Sequence, residues 1–223
     1  MLKLEHATIR FGSHLLLREA NLALGRGSIK GFVAPNGYGK TTVMRILAGE
    51  LGPLKRGIVR IDGAAHQSDF RSPEVLYVPG DSSFLYPYLT VANHLRFAAS
   101  LWNTPTDIDS AADRCGIAAF MHKRVAHLSQ GMKQQVALAI AYLCSPHYLL
   151  LDEPTNALDP INVQATTDLL KEMSCTGTGI LISSHILENL DTLCDNVLLI
   201  KDKRLNETRI DDSTRNLFLQ YYV

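Results

Sequence analysis

The stretch Ala34-Pro35-Asn36-Gly37-Tyr38-Gly39-Lys40-Thr41-Thr42 decides the fold. Ahead of it, Ser28 to Ala34 reads as a strand, led in by the turn Gly25-Arg26-Gly27. Behind it, Lys40 to Ala48 carries Val43, Met44, Ile46 and Leu47 at helical spacing and meets Gly49 as a stop. The order is strand, glycine-rich loop, helix. The stretch follows the phosphate-binding pattern G-x-x-x-x-G-K-[ST], with Ala34 in place of the first glycine. Backbone N–H groups of Gly37 to Thr42 at a helix N-terminus can ring an anion, Lys40 can reach the β and γ phosphates, and Thr41 can hold Mg²⁺. The plainer alternative is a glycine-rich turn that caps a helix.

Working outward, Leu2 to Arg10 and Asn21 to Leu24 alternate as strands, and Ile58 to Ile61 and Val75 to Val78 read as further strands. From Thr90 the period changes. Thr90 can cap a helix through Val91, Leu95, Phe97 and Ala98 to about Trp102. Helical periods continue to Ser145, with Met132, Val136, Ala139, Ile140 and Leu143 on one face. Strand character returns at Tyr148 to Leu151, Ile180 to Ile182 and Val197 to Ile200, with helices at about Ile161 to Met173 and Ile186 to Leu193 between them. This alternation predicts a mainly parallel α/β core, residues 1–89 and 147–223, with a helical subdomain inserted over 90–146. There is no internal repeat or low-complexity linker.

Two more stretches carry chemistry. Tyr148-Leu149-Leu150-Leu151-Asp152-Glu153 is a buried strand ending in two carboxylates, where an open α/β sheet presents residues to a ligand. Asp152 suits a Mg²⁺ shell, and Glu153 suits polarising a water that attacks the γ-phosphate. Leu128-Ser129-Gln130-Gly131-Met132-Lys133-Gln134-Gln135 lies 23 residues ahead of Asp152, counted from Ser129. It resembles the signature motif of ATP-binding-cassette ATPases, and Asp152-Glu153-Pro154-Thr155-Asn156-Ala157-Leu158-Asp159 resembles that family's Walker B strand running into its D-loop. On its own Ser129 is a helix N-cap.

The resemblance covers nearly the whole chain, from Phe11 to Ser183-Ser184-His185. It implies an ABC-type P-loop fold with an N-terminal antiparallel β region. It also implies that Phe11 stacks adenine and that His185 senses the γ-phosphate; the plainer readings are an edge-strand core residue and a helix cap. In such a family two cassettes stack head to tail, so Ser129, Gln130 and Gly131 of one would close over ATP bound at residues 36–42 of the other, with Asp159 in the D-loop. Glu153, His185 and Lys40 would be the catalytic set, Thr41 and Asp152 the Mg²⁺ residues. The implied partners are a second cassette, most simply an identical one, and a transmembrane permease subunit. The implied activity is ATP hydrolysis that drives transport, with export as the expected direction, from the cytoplasmic face of the membrane.

Departures from the family are Gly80, in the slot after Val75-Leu76-Tyr77-Val78-Pro79 where a metal-reaching glutamine is usual, Ala34, and the bulky Tyr38. Asp81 is a candidate substitute for the glutamine. Ala34 is harmless if its φ is negative. The Tyr38 ring must leave the loop, and a partner cassette or transmembrane subunit is the expected contact. Ala34 and Gly80 motivate one alternative, an ATP-binding switch with weak hydrolysis; a second, a soluble non-transport cassette acting on nucleic acid or ribosomes, has relatives that generally carry tandem cassettes, long coiled-coil insertions or zinc modules, and none is visible here.

Composition narrows the field further. The 223 residues are 46% hydrophobic and 20% charged, with 22 basic and 22 acidic side chains, so no global field attracts nucleic acid, and none is expected as a partner. Cys115, Cys144, Cys175 and Cys194 are dispersed, suit a reducing compartment and read as small core hydrophobes. The histidines other than His185 show no ligand spacing. The most apolar run, Val136 to Cys144, is 9 residues, far short of the roughly 20 that span a bilayer. No secretory signal is expected at Met-Leu-Lys-Leu-Glu-His. The closing stretch, 201–223, offers Leu217, Leu219, Tyr221 and Tyr222 for packing on the core or on a neighbour.

Overall fold

The computed structural model describes residues 1–51, 54–66, 72–104 and 107–223. Strands β1 (Leu2–Phe11), β2 (His14–Leu24), β4 (Ile58–Ile61) and β5 (Ala64–His66) form an antiparallel sheet in the order β2-β1-β4-β5. Strands β3 (Ile29–Val33), β6 (Val75–Val78), β7 (Tyr148–Asp152), β8 (Gly179–Ser183), β9 (Asn196–Lys201) and β10 (Arg204–Arg209) form the other, in the order β10-β9-β3-β8-β7-β6. Five of these run parallel; β10 is antiparallel to β9 at the edge. The expected mainly parallel core with an antiparallel N-terminal region is present.

The continuous apolar run of β7 is explained by burial on both faces. Tyr148 and Leu150 join a core with Leu2, Leu4, Phe32 and Met44, on the side of the antiparallel sheet and α1 (Lys40–Leu47). Leu149 and Leu151 point the other way, into a core with Leu169 and Leu170 of α5 (Pro160–Cys175) and Leu190 of α6 (Leu187–Asp191). A third core fills the helical segment, where α2 (Val91–Trp102), α3 (Ile108–Arg114) and α4 (Gln130–Cys144) meet. Helix α4 serves two cores: Val136, Ala139, Ile140 and Leu143 face the helical one, as their spacing predicts, and Ala137, Leu138 and Ala141 face the sheet. The expected caps form, Thr90 accepting from Asn93 N–H and Ser129 from Met132 N–H, each at 3.2 Å.

Three elements lay beyond the reading of the sequence: β5, β10 and α7 (Thr214–Tyr222); β2 is also longer than the predicted Asn21 to Leu24. Helix α7 settles the closing stretch. Leu217, Phe218, Tyr221 and Tyr222 pack on the core beneath α6, while Leu219 stays exposed. The cysteine expectation holds for buried Cys144 and Cys194 and is corrected at Cys175, which ends α5 on its exposed face. The two sheets are joined at one seam by polar groups: Asp62, in the β4–β5 turn, accepts from Tyr148 Oη at 2.6 Å and lies 3.7 Å from His147 Nδ1. Among the described residues no helix is long and apolar enough to cross a membrane.

Candidate nucleotide site

Strand β3 ends at Val33, and the chain then wraps through the phosphate loop into α1. Two backbone positions demand glycine: Gly37 at φ 81° and Gly39 at φ 100°, the latter being the residue ahead of the helix. Ala34 is not among the residues with positive φ, so its methyl is carried without left-handed strain, and it is buried. The loop closes on itself through Lys40, whose Nζ donates to Ala34 O at 2.6 Å. Burial holds the Lys40 ammonium below its usual pKa, against the opposing pull of Glu153 and Asp152. A buried cation held by a carbonyl, beside N–H groups at a helix start, suits an anion.

The carboxylates come from the end of β7. Parallel pairing sets Asp152 opposite Ser183, so the two strand ends share one hydrogen-bond network. Asp152 Oδ1 accepts from Ser183 Oγ at 2.6 Å, and Oδ2 accepts from Thr41 Oγ1 at 2.5 Å and from Tyr77 Oη at 3.3 Å. Burial, followed by the charge of Asp152, pushes the Tyr77 phenol upward, so it stays a donor. Glu153 sits at φ 54°, a left-handed conformation that costs about 1 kcal/mol for a residue with a Cβ. Its N–H holds that turn by donating to Ser183 Oγ at 3.0 Å and Ser183 O at 3.2 Å. Its side chain accepts from Asn156 Nδ2 at 2.5 Å and contacts His185 Nε2.

Phe11, Asn36, Gly37, Gly39, Lys40, Thr41, Thr42 and Glu153 line one cavity of about 460 Å³, together with His14 and Leu16. Phe11 is 75% exposed there, which is the exposure of a stacking platform and not of a core residue. Thr41 and Glu153 also open onto a second groove of about 750 Å³, which Asp152 lines with them and which runs between the sheet and the helical segment, past Gly80, Tyr86, Phe97 and Trp102. The oxygens of Thr41 and Asp152 are a hard donor set at the phosphate loop, and they fit Mg²⁺.

The signature residues lie outside the cavity around Lys40. Ser129 and Gln130 are exposed at the start of α4, and Gly131 packs so tightly on the D-loop that a Cβ there would stand 2.7 Å from Ala157 O. Behind them Gln135 Nε2 donates to Asn162 Oδ1 at 2.8 Å, and Asn162 donates twice to Asp159, the cap of α5. Those bonds from Asn162 hold the Asp159 carboxyl below the usual range. Signature loop and D-loop are thus one unit.

The three departures from the pattern have structural reasons. Gly80 lies where a Cβ would come 2.5 Å from Asp152 O, so the loop after β6 has closed onto the end of β7 in the space a side chain would need. Asp81 reaches the groove, with one carboxylate oxygen accepting Ser83 N–H at 2.9 Å. The Tyr38 ring leaves the loop as expected, but its contact is within the chain: it meets Tyr222 of α7 edge-on, centroids 5.7 Å apart. Ser183, Tyr77 and Asn156 had no role in the reading of the sequence. No local pattern marks them, because what brings them to Asp152 and Glu153 is strand order and a turn. Ser183 had one signal, a hydroxyl at the end of a buried strand ahead of His185.

Fold and site together define a P-loop nucleotide-binding core with an inserted helical subdomain. Residues 17–156 match the family described as ABC transporter. An uncharacterized ABC transporter ATP-binding protein of Bacillus subtilis, YdbJ, is 34% identical over 205 residues, 90% of this chain and 66% of that protein. The lantibiotic transport ATP-binding protein SrtF of Streptococcus pyogenes is 28% identical over 97% of this chain and 94% of its own length. The structure of cbiO1 from Clostridium perfringens, part of the ABC transporter complex cbiONQ, superposes with a TM-score of 0.78 at 27% identity, over 98% of this chain and 90% of that one. The chain belongs to the ABC transporter family and is an ATP-binding protein of it.

Proposed function

We propose that the chain hydrolyses ATP as the engine subunit of a transporter, closing on a second, identical cassette and driving a separate transmembrane permease from the cytoplasmic face of the membrane. The observation that carries this reading is the Asp152 carboxylate, fixed by Ser183 and Tyr77 and set against the Thr41 hydroxyl at the mouth of the phosphate loop. The amides of Gly37 to Thr42 and the Lys40 ammonium bind the β and γ phosphates, and Phe11 takes the adenine face. Thr41 and Asp152 would hold Mg²⁺, whose charge, when bound, would offset that of the phosphate oxygens. Glu153, at the end of β7, orients the attacking water, and His185, already against the Glu153 carboxylate, holds that carboxylate in place and senses the γ-phosphate. Ser129, Gln130 and Gly131 complete the site of the partner cassette through the N-terminus of α4.

Support for a membrane partner comes from family membership and from the place of cbiO1 in a transporter complex. The groove past Tyr86, Phe97 and Trp102 offers an aromatic-lined dock for a permease segment. Export is the direction we propose, on the likeness to the lantibiotic transport protein along nearly the whole chain. Phosphate release from ATP by the purified chain and by Glu153→Gln tests the engine: the variant should bind nucleotide and lose turnover by about a hundredfold or more. Equal turnover in both would remove Glu153 from its role. A second reading, an ATP-binding switch with weak hydrolysis, draws on Gly80, which leaves the loop after β6 without a side chain at the metal. Single-turnover hydrolysis separates the two, since a switch binds ATP and leaves it intact.

A further inference from the structure

The last β3–β9 pair sets Val33 opposite Leu199, and from there β3 departs into the phosphate loop. The next residue of β9, Ile200, would face an empty place in the ladder. Instead its N–H donates to Tyr222 Oη at 2.9 Å, and the same hydroxyl donates to Ile200 O at 2.6 Å, with Val33 O 3.4 Å away. A side chain from the end of α7 therefore stands in for a strand, at the point where the sheet gives way to the loop. The ring of that residue carries a second contact. Tyr38, between the two left-handed glycines of the phosphate loop, packs edge-to-face with Tyr222, and Phe218 packs on the same ring with centroids 4.8 Å apart.

Helix α7 is itself firmly placed. Ser213 caps it, and Thr214 N–H donates to Asp191 of α6 at 2.7 Å. Tyr222 thus links an anchored helix to the loop that would carry the phosphates, by hydroxyl to the backbone before the loop and by ring to a side chain within it. We propose that Tyr38 and Tyr222 are positioning residues that couple the docking of α7 to nucleotide capture. Phosphate held by the amides of Gly37 to Thr42 would order the segment that carries Tyr38, and with it the Tyr38 ring already set on Tyr222. By linkage, nucleotide then tightens α7, and any partner that displaces α7 loosens nucleotide. The proposal rests on the nucleotide-binding reading above and adds to it a handle at the far end of the chain.

The test pairs Mg-ATP affinity by calorimetry with hydrogen exchange of the α7 amides, in wild type, Tyr38→Ser, Tyr222→Ala and the double variant. Tyr38→Ser alters an exposed side chain, so it reports even where Tyr222→Ala unfolds; Tyr222→Leu, which fills much of the same space but removes the ring that Tyr38 meets, replaces the latter in that case. In wild type, Mg-ATP should slow exchange at Phe218 to Tyr222, and Tyr38→Ser should abolish that slowing and weaken binding about three- to tenfold. The double variant should bind no more weakly than the worse single one, because both remove one contact. Uptake of nucleotide with α7 exchange unchanged, or strictly additive losses, overturns the coupling alone. Absence of uptake by folded wild type overturns the functional reading and the coupling with it.

Discussion

Ser183→Ala is a one-atom deletion with a calculable cost. The residue is fully buried, and its hydroxyl is used twice, as donor to Asp152 Oδ1 at 2.6 Å and as acceptor of Glu153 N–H at 3.0 Å. Removing it leaves a buried carboxylate oxygen without that donor, and Glu153 with only the longer bond to Ser183 O at 3.2 Å to hold a left-handed backbone. Loss of one partner from a buried polar pair costs about 1–3 kcal/mol. For a domain of this size each kcal/mol moves the melting midpoint by about 2–4 °C, so the variant should melt roughly 2–12 °C lower. The function should fall further than the stability explains. Asp152 and Glu153 would lose the anchor that fixes their relative orientation, so turnover at saturating Mg-ATP should drop about tenfold or more even well below the new midpoint. Calorimetric melting and phosphate release on the same preparation decide it. A variant that melts and turns over like wild type would refute the claim that the Asp152–Ser183 strand-end pair organises the site.

Three other expectations follow from close approaches and burial. Gly131→Ala places a Cβ 2.7 Å from Ala157 O, so signature loop and D-loop must separate; a loss of about 1–3 kcal/mol in urea unfolding is expected, and none would contradict the packing. Gly80→Ala meets Asp152 O at 2.5 Å and should lower stability by a similar amount; Gly80→Gln should do the same and fail to raise Mg²⁺-dependent turnover, whereas a gain would show that the loop moves freely. Burial pushes the Cys144 and Cys194 thiols up to about 12, from 9.0 in the unfolded chain. Between those values the unfolded chain has lost protons that the folded chain keeps, so stability falls as pH rises above 9, by about 1.4 kcal/mol per pH unit per thiol. A Cys144→Ala, Cys194→Ala variant should show a flatter decline in urea midpoints from pH 9 to 11; an unchanged slope would assign it to other groups.

Periodicity and capping chemistry are local, and what depended on them was legible. The strand, loop and helix around Lys40, the strand Ile58 to Ile61, the caps at Thr90 and Ser129 and the inner face of α4 all stand where the residues put them. The missed elements hid for definable reasons. In β2, His14-Leu15-Leu16-Leu17-Arg18 lacks alternation, and the register against β1 shifts more than once, with Glu19 at φ 50°. Strand β10, Arg-Leu-Asn-Glu-Thr-Arg, is a polar edge with no apolar face to announce it. Helix α7 packs Leu217-Phe218 and Tyr221-Tyr222 at helical spacing, but exposed Leu219 between them adds an alternation Leu217, Leu219, Tyr221 that lets the stretch pass for strand. Within the site, chain order could place Asp152 and Glu153 at a strand end but not the neighbour of that strand. The role of Ser183 depends on β8 lying beside β7, and that of Tyr38 on where α7 comes to rest.

The departures from the family pattern separate two tasks that one motif usually joins. Thr41, Tyr77 and Ser183 all point hydroxyls at one carboxylate, and none of them comes from the loop after β6. The carboxylate proposed to hold the metal is therefore fixed from within the sheet and the phosphate loop. What Gly80 removes is a side chain that would reach from the loop leading into the helical segment toward the phosphates, and the loop has instead settled on the Asp152 backbone. One link from the loop to α4 is the Ser82 hydroxyl, 3.4 Å from Gln134 Oε1, a long bond that leaves the buried Gln134 Nε2 without a partner, while Tyr86 N–H donates to His94 Nε2 of α2 at 2.9 Å. We infer that the cost of Gly80 falls on coupling between nucleotide and helical segment and not on nucleotide capture. Gln134→Leu removes the weak link together with an unpaired buried amide, so the fold should not lose stability; it should leave Mg-ATP affinity within about twofold while lowering turnover. Affinity lost in step with turnover would place the link inside the nucleotide site and contradict the separation.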